Sequence, residues 1–457
     1  MGQVSVWAVS ITALIFLQSV STSKLVCYFT SWSQYRETSG RFVADQIDPN
    51  LCTHIIYAFA KISGNQLEPG EWNDATTYGT LNQLKRNRNL KTLLSVGGAL
   101  MGPEPFRRIT ASPATRSEFA MSVLQLLRTN NFDGFDLAWP LAELSDKSRL
   151  TSLVKDLSVA FRRRGQKRLL LSVAIPAGRE AIDKGYDIQT ISEYVDFINF
   201  MTFDFHGAWE SFTGHLSPLQ KSTADSGSAS YYNVDYAVKY LRSIGAPAEK
   251  IIMGIPTYGR SYTLSTKLTG VEAPVSGAGT LGPFTKEAGI LAYYEICNFN
   301  KGATTAVIPG GNAPYSFKGN QWVGYDNVDS IKTKVNYLKQ KKLGGAMVWA
   351  MDLDDFSGSF CGQGAYPLLQ TLKRELGSTG LAPNPKPPVP AEPPRPDAPQ
   401  PDAPTADTFC LDKEDGIHAD LQDATKYYMC THKKTFSLPC PTGLTFDNQC
   451  KCCSHPQ

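Results

Sequence analysis

The sequence lacks a dominant charge. Its 45 Lys and Arg face 42 Asp and Glu, a formal net charge of +3 over 457 residues. So near to neutral, the composition carries no polyanion-binding signature, and no nucleic-acid partner is expected. One basic run, Phe161 to Arg168 (FRRRGQKR), reads as the solvated end of a helix ahead of the apolar run RLLLSVAIP. Long apolar runs are missing too. Beyond the N-terminus no segment holds about 18 uninterrupted apolar residues, so no membrane span is expected. No N-x-S/T acceptor occurs, which excludes an N-glycan. Paired C-x-x-C ligand sets are absent, which argues against a zinc site, and no metal is expected.

What is present begins with a short apolar run, VWAVSITALIFL, followed by the small and polar SVSTS. This pattern reads as a secretory signal over residues 1–23, leaving a secreted, extracellular chain that starts at Lys24. The cysteines fit an oxidising destination. Cys27, Cys52, Cys297 and Cys361 are spread over the first three-quarters of the chain, whereas Cys410, Cys430, Cys440, Cys450, Cys452 and Cys453 crowd its end. The second group reads as a disulfide scaffold for a small β module over 408–457, with its pairing left open by the sequence. Between the two groups lies PNPKPPVPAEPPRPDAPQPDAPTAD, whose proline density excludes helix and central strand and predicts an extended linker over 379–407.

Upstream, eight short apolar runs alternate with helix-length segments. The runs are KLVCYFTSW, THIIYAFAKI, KTLLSVGG, FDGFDLAW, RLLLSVAIP, YVDFINFMTFDF, KIIMGIPTYG and GGAMVWAMDLDD. Near-continuous apolar strands separated by helices predict an α/β fold, a (β/α)8 barrel over 24–378. Most runs end in polar or aromatic groups: Trp32, Asp136, Asp204 with His206, Tyr258 and Trp349. Strand ends of that character predict a working cleft at the C-terminal face. The gap before the last run is too long for one loop and helix, and predicts an inserted α+β subdomain over about 259–330.

Taken together, LVCYFTSWSQYR, LKTLLSVGG, FDGFDLAW, MTFDFHGAW, IPTYGRSYTL, LAYYEIC and GGAMVWAMDLDDFSGSFC resemble glycoside hydrolase family 18, with its secreted chitinases and chitinase-like lectins. The resemblance covers nearly all of Lys24 to about Gly377. The tail, ending PTGLTFDNQCKCC, resembles a peritrophin-A-like chitin-binding module. Both resemblances imply N-acetylglucosamine polymers as ligands, and the family's chemistry uses no cofactor.

In that family the fourth strand reads D-G-x-D-x-D-W-E. Its Glu protonates the glycosidic oxygen, and the preceding Asp orients the substrate's own N-acetyl group for attack. On this chain the motif runs from Asp133 through Asp136, with Ala138 at the orienting position and Pro140 at the acid. Neither side chain can donate a proton, so no catalytic residue is assigned. Phe203 replaces the tyrosine of M-x-Y-D, and Ala99 and Leu100 replace the tryptophan and asparagine of G-G-W-N. Glu143 and Asp146 read as solvated loop charge rather than substitutes for the acid. Asp133 reads as support for the strand, Asp136 as a buried structural carboxylate and Trp139 as packing.

The resemblance implies a sugar-binding set of Tyr28, Trp32, Phe59, Trp72, Met201, Asp204, Trp209, Tyr258, Arg260 and Trp349. Phe59 and Met201 read equally as barrel core. In the tail, Tyr427, Tyr428, Phe436 and Phe446 are the aromatic residues available for a platform, and His455 stands where the family has tryptophan. The resulting expectation is a secreted, monomeric, hydrolytically inactive lectin for chitin or chito-oligosaccharides. Other glycans or a cell-surface protein remain open as partners. A residually active endochitinase and a sugar-blind secreted interaction protein are the other two readings.

Overall fold

A computed structural model of the chain describes residues 23–85, 89–139, 142–162, 165–222, 227–308 and 312–377. In the C-terminal part it describes 410, 413, 416–420, 423–431, 434–440, 445–447 and 452–454. The expected signal segment up to residue 22, Pro140, the linker 379–407, Cys450 and His455 lie outside the described residues.

Eight parallel strands close into a barrel. They are β1 (Lys24–Thr30), β2 (His54–Ser63), β3 (Lys91–Gly97), β4 (Gly134–Ala138), β5 (Leu170–Pro176), β6 (Phe197–Met201), β7 (Ile251–Pro256) and β8 (Gly345–Trp349). Each strand pairs with the next, and β1 closes the ring by pairing with both β2 and β8. Every predicted apolar run supplies one of these strands. The reason is burial on two sides: alternate side chains enter the barrel or pack beneath the helices, so both sets must be apolar. Leu93, Leu94, Phe135, Leu137, Ile198 and Phe200 are fully buried accordingly.

Helices cover the outside where the sequence gives them start signals. The helix Pro113–Thr129 opens with Ser112, whose hydroxyl accepts from the Thr115 backbone N–H while Pro113 takes the first helical position. The helix Lys147–Phe161 ends where the basic run begins. The run is not merely solvated, however: Lys167 pairs with Asp133 at 2.9 Å, and Arg168 with Asp196. These cations tie the connecting segment to the N-terminal side of the barrel.

Between β7 and β8 the chain builds an antiparallel sheet in the order Val275–Ala278, Tyr258–Leu264, Gln321–Gly324, Ala313–Lys318 and Thr304–Ile308. It also carries the helix Tyr293–Phe299. This subdomain has its own small core around Tyr262 and Trp322. Cys27–Cys52 joins β1 to the segment entering β2, and Cys297–Cys361 ties the subdomain helix to the segment after β8.

His215 lies buried beneath this subdomain. Its Nε2 donates to the Tyr325 carbonyl at 2.8 Å, and its Nδ1 accepts from the Ser217 N–H at 3.0 Å. Burial pushes its pKa down to about 4, helped by the nearby Lys334 and His206 and opposed more weakly by Asp326 and by the hydrogen bond to the Tyr325 carbonyl. An unfolded histidine, near 6.5, therefore takes up protons before the folded one does. Stability is complete above pH 6.5 and falls as pH drops towards 4, by roughly 3 kcal/mol from this group. Urea midpoints at pH 7 and 4.5 are expected to differ less for His215→Gln than for the natural chain. An identical pH slope in the two proteins would remove His215 as the cause.

The chain divides into two compact units, the second beginning at Pro383. In that unit, strands Gly416–Ala419, Lys426–Thr431 and Lys434–Pro439 form an antiparallel sheet, and Thr445–Asp447 pairs with Cys452–Ser454. Cys410 is bonded to Cys430, and among the described residues no cysteine is free.

Candidate functional site

The C-terminal ends of the barrel strands surround a cleft of about 470 Å³. Tyr28 of β1, Phe59 of β2, Ala138 of β4, Ala174 of β5, Met201 of β6 and Met347 and Trp349 of β8 line it. Trp349 is the centre of its aromatic floor. The Tyr28 ring lies 5.0 Å from it, Phe59 6.0 Å and Trp32 6.4 Å, and Trp32 stacks on Phe59 at 5.9 Å. Phe59 can lie there because Gly98 has no side chain. A Cβ at that position would meet the Phe59 ring at 2.5 Å, and its φ of +84° also favours glycine.

Beneath the floor, Asp136 is fully buried inside the barrel. Its Oδ2 accepts from the Tyr28 hydroxyl and from Ser95 Oγ, both at 2.7 Å. Its Oδ1 accepts from Ser172 Oγ at 2.6 Å and from Asn199 Nδ2 at 3.0 Å. Strand register sets this up, since Asp136 lies level with Ser95 on β3 and Ser172 on β5. Burial, together with the Asp136 carboxylate, pushes the Tyr28 phenol well above its ordinary range and keeps it a donor. Four donors leave the carboxylate without a free face for another partner. Asp136→Ala strands those donors in a dry interior, where each unpaired group costs about 1–3 kcal/mol. A loss of at least about 3 kcal/mol is expected in urea unfolding, and a variant as stable as the natural chain would contradict this network.

A second carboxylate stands on the wall. Asp204 adopts φ of +59° after β6, a conformation Asp tolerates better than most residues. Arg260 holds it in a two-pronged pair, Nε to Oδ1 at 2.8 Å and Nη2 to Oδ2 at 2.9 Å, and the Tyr258 hydroxyl donates to Oδ1 at 2.8 Å. Arg260 also lies over the Trp209 indole, 5.1 Å from its centroid. Gly207 lets that ring sit close, since a Cβ there would meet Trp209 at 2.2 Å. Among the described residues, Asp204 is the one carboxylate lining the cleft.

The structure thus gathers Tyr28, Phe59, Met201, Asp204, Tyr258 and Trp349 into one cleft, with Trp32 stacked at its edge. Trp209 joins through Arg260 and is 61% exposed. Trp72 stands apart on the loop before the helix Asp74–Gln83, 68% exposed. Trp139 is packing: it is buried and stacked on Phe106 at 4.6 Å. Asp133 faces the other end of the barrel, paired with Lys85 and Lys167. Two readings need correction. Asp136 does not end its run at the cleft but lies inside the strand. Asp146 is not solvated charge: it is fully buried and receives Arg107 Nε at 2.9 Å, while the exposed Glu143 takes the same guanidinium at 2.7 Å.

Sequence reasoning did not single out Ser95, Ser172 and Asn199, or the apolar lining from Ala174, Ala177, Phe205 and Tyr232. The signal for the first three was available as one lone polar residue in each of LLSVG, LLSVA and FINFM. In the second unit, Tyr427 and Phe446 stack at 5.0 Å. Tyr428 is the next residue on that strand, opposite Ser437, and Phe436 is opposite Met429. The side chain of Phe436 lies outside the described residues.

Comparison with known proteins fits this geometry. The sequence profile of glycosyl hydrolases family 18 matches residues 24–354, and that of the chitin-binding peritrophin-A domain matches 410–457. Mouse chitotriosidase-1 is 46% identical over 466 aligned residues, covering 99% of this chain and 100% of that protein. Human chitinase-3-like protein 2 is 48% identical, covering 83% and 98%. The solved structure of human YKL-39, described as a pseudo-chitinase with retained chitooligosaccharide binding properties, superposes with a TM-score of 0.76. It is 48% identical and covers 78% of this chain and 100% of its own. The chain belongs to glycosyl hydrolase family 18 and carries a C-terminal chitin-binding peritrophin-A domain.

Proposed function

We propose that this protein is a secreted lectin that binds chitin and chito-oligosaccharides without hydrolysing them. The observation carrying this reading is a cleft that keeps its aromatic floor while β4 ends in the methyl group of Ala138. Glycoside hydrolysis needs a proton donor within about 3 Å of the leaving oxygen. Asp136 is taken up by four donors, Asp204 by Arg260 and Tyr258, and Glu143 and Asp146 by Arg107. The family's acid position is Pro140, which has nothing to donate.

Binding needs none of this. The C–H face of a pyranose stacks on an indole, and Trp349 offers one at the centre of the cleft. Trp32, Trp72 and Trp209 supply further exposed indoles for a longer oligomer. The peritrophin-A domain, with its stacked Tyr427 and Phe446, supports attachment to polymeric chitin. Secretion is supported by the apolar N-terminal run and by the disulfides, which persist in oxidising compartments.

A sugar-blind interaction protein is the second reading, favoured by Ala99 and Phe203, which line the cleft with carbon where polar or aromatic contacts are expected. Isothermal titration with chitohexaose separates the two. Saturable heat supports the lectin, and its complete absence at millimolar sugar supports the second reading.

A further inference from the structure

Three tyrosines outside the aromatic floor form a row that the proposed sugar binding does not use. Tyr231 ends the short 3-10 turn Gly227–Tyr231, and Tyr236 and Tyr240 lie one turn apart on the helix Val234–Ser243. The buried side chain of Asn233 sets the spacing of the first two. Its Oδ1 accepts from the Tyr236 N–H at 2.9 Å as the helix cap, while its Nδ2 donates to the Ser230 carbonyl at 3.0 Å. One amide thus fixes the backbone on both sides, and the Tyr231 and Tyr236 rings lie 4.6 Å apart with their planes 31° from parallel. Rings at that distance and angle turn their faces to one another, which leaves a sugar little of either to stack on. Tyr240 is farther away, 6.1 Å from Tyr236, and its hydroxyl donates to Asp183. Tyr231 is 43% exposed. By contrast, Tyr57 and Tyr78, the other close tyrosine pair among the described residues, cross at 87° and are fully buried.

We propose that Tyr231 and Tyr236 are an oxidative cross-linking site, joined as dityrosine by a haem peroxidase and hydrogen peroxide. The inference is independent of the lectin reading. Each phenol gives one electron and one proton to the peroxidase, which consumes one hydrogen peroxide for the pair and releases two waters. The two phenoxyl radicals then join through the ring carbons next to their oxygens. The hydrogens on those two carbons move to the oxygens, so both phenols are restored and the protein has lost two hydrogen atoms. Facing rings held at this distance couple at an effective concentration far above that of a second protein molecule, so the link forms within one chain. Tyr232 lies between the two residues in sequence and lines the cleft. The link therefore pins a segment of the cleft wall to the helix Val234–Ser243.

The test treats the folded full chain with a haem peroxidase and an equimolar amount of hydrogen peroxide, and reads dityrosine fluorescence and tryptic peptide masses. Trypsin releases Tyr231 and Tyr236 together in the peptide running from Ser222 to Lys239, whereas Tyr240 begins the next peptide. The expected product is a monomeric protein whose 222–239 peptide is lighter by two hydrogens and resists fragmentation between Tyr231 and Tyr236. Tyr231→Phe and Tyr236→Phe are each expected to lower the yield of that product at least about tenfold, and Tyr240→Phe to leave it unchanged. The same yield from Tyr231→Phe would show that Tyr232 is the partner and overturn the assignment. A link joining the 222–239 peptide to the one that starts at Tyr240 would overturn it as well. Fluorescence found only in covalent dimers, or no mass change in this peptide, would overturn the cross-linking site altogether.

Discussion

A fluorogenic chitobioside incubated with the natural chain is expected to be cleaved at least 10²- to about 10⁴-fold more slowly than by an active family chitinase. That interval is what a missing general acid typically costs, and here the group that would orient the substrate's amide is missing as well. The two losses act on one step, so their effects do not multiply. The informative variant restores both carboxyl groups, as Ala138→Asp with Pro140→Glu. Its turnover is expected to exceed that of the natural chain by about 100-fold or more. It is expected to stay below that of an active chitinase, because Ala99, Leu100 and Phe203 still depart from the family pattern. Natural-chain turnover within about tenfold of an active chitinase would sink the lectin reading.

Loss of Trp349 is expected to have the largest effect on binding. The indole is the centre of the floor and touches Tyr28, Phe59 and Trp32, so the rings around it exclude water from whatever stacks on it. Such central aromatic anchors carry about 2 kcal/mol or more, about 30-fold in affinity. Trp349→Ala is therefore expected to weaken chitohexaose binding by at least that factor, and Trp349→Phe by less. A thermal-unfolding control separates lost contact from lost fold, since Trp349 also packs against the barrel. Unchanged affinity in a folded Trp349→Ala protein would move the sugar away from this floor.

Much of the fold was legible in the chain because a parallel barrel demands near-continuous apolar strands, and eight such runs are present. The aromatic residues of the cleft were legible for a related reason. Trp32, Tyr258 and Trp349 stand where buried runs stop, and large aromatic groups at strand ends have no barrel interior left to fill. Asp146 was not legible. Its sequence neighbours, Leu144, Ser145 and Lys147, read as a loop, and its partner Arg107 comes from a different connection. Ser95, Ser172 and Asn199 went unremarked because one polar residue in an apolar strand carries no sign of which way it points.

The sequence by itself determined that the family's acid and orienting positions hold Pro140 and Ala138. A side chain without a carboxyl group cannot act as one in any fold, so this conclusion needs no coordinates. Only the tertiary structure decided what became of the carboxylate left behind. Asp136 is enclosed by Tyr28, Ser95, Ser172 and Asn199, groups that lie 36 to 108 residues away along the chain. Their convergence depends on the closure and register of the barrel, and hydrogen bonding at that range follows from distance in space, which the order of residues does not state.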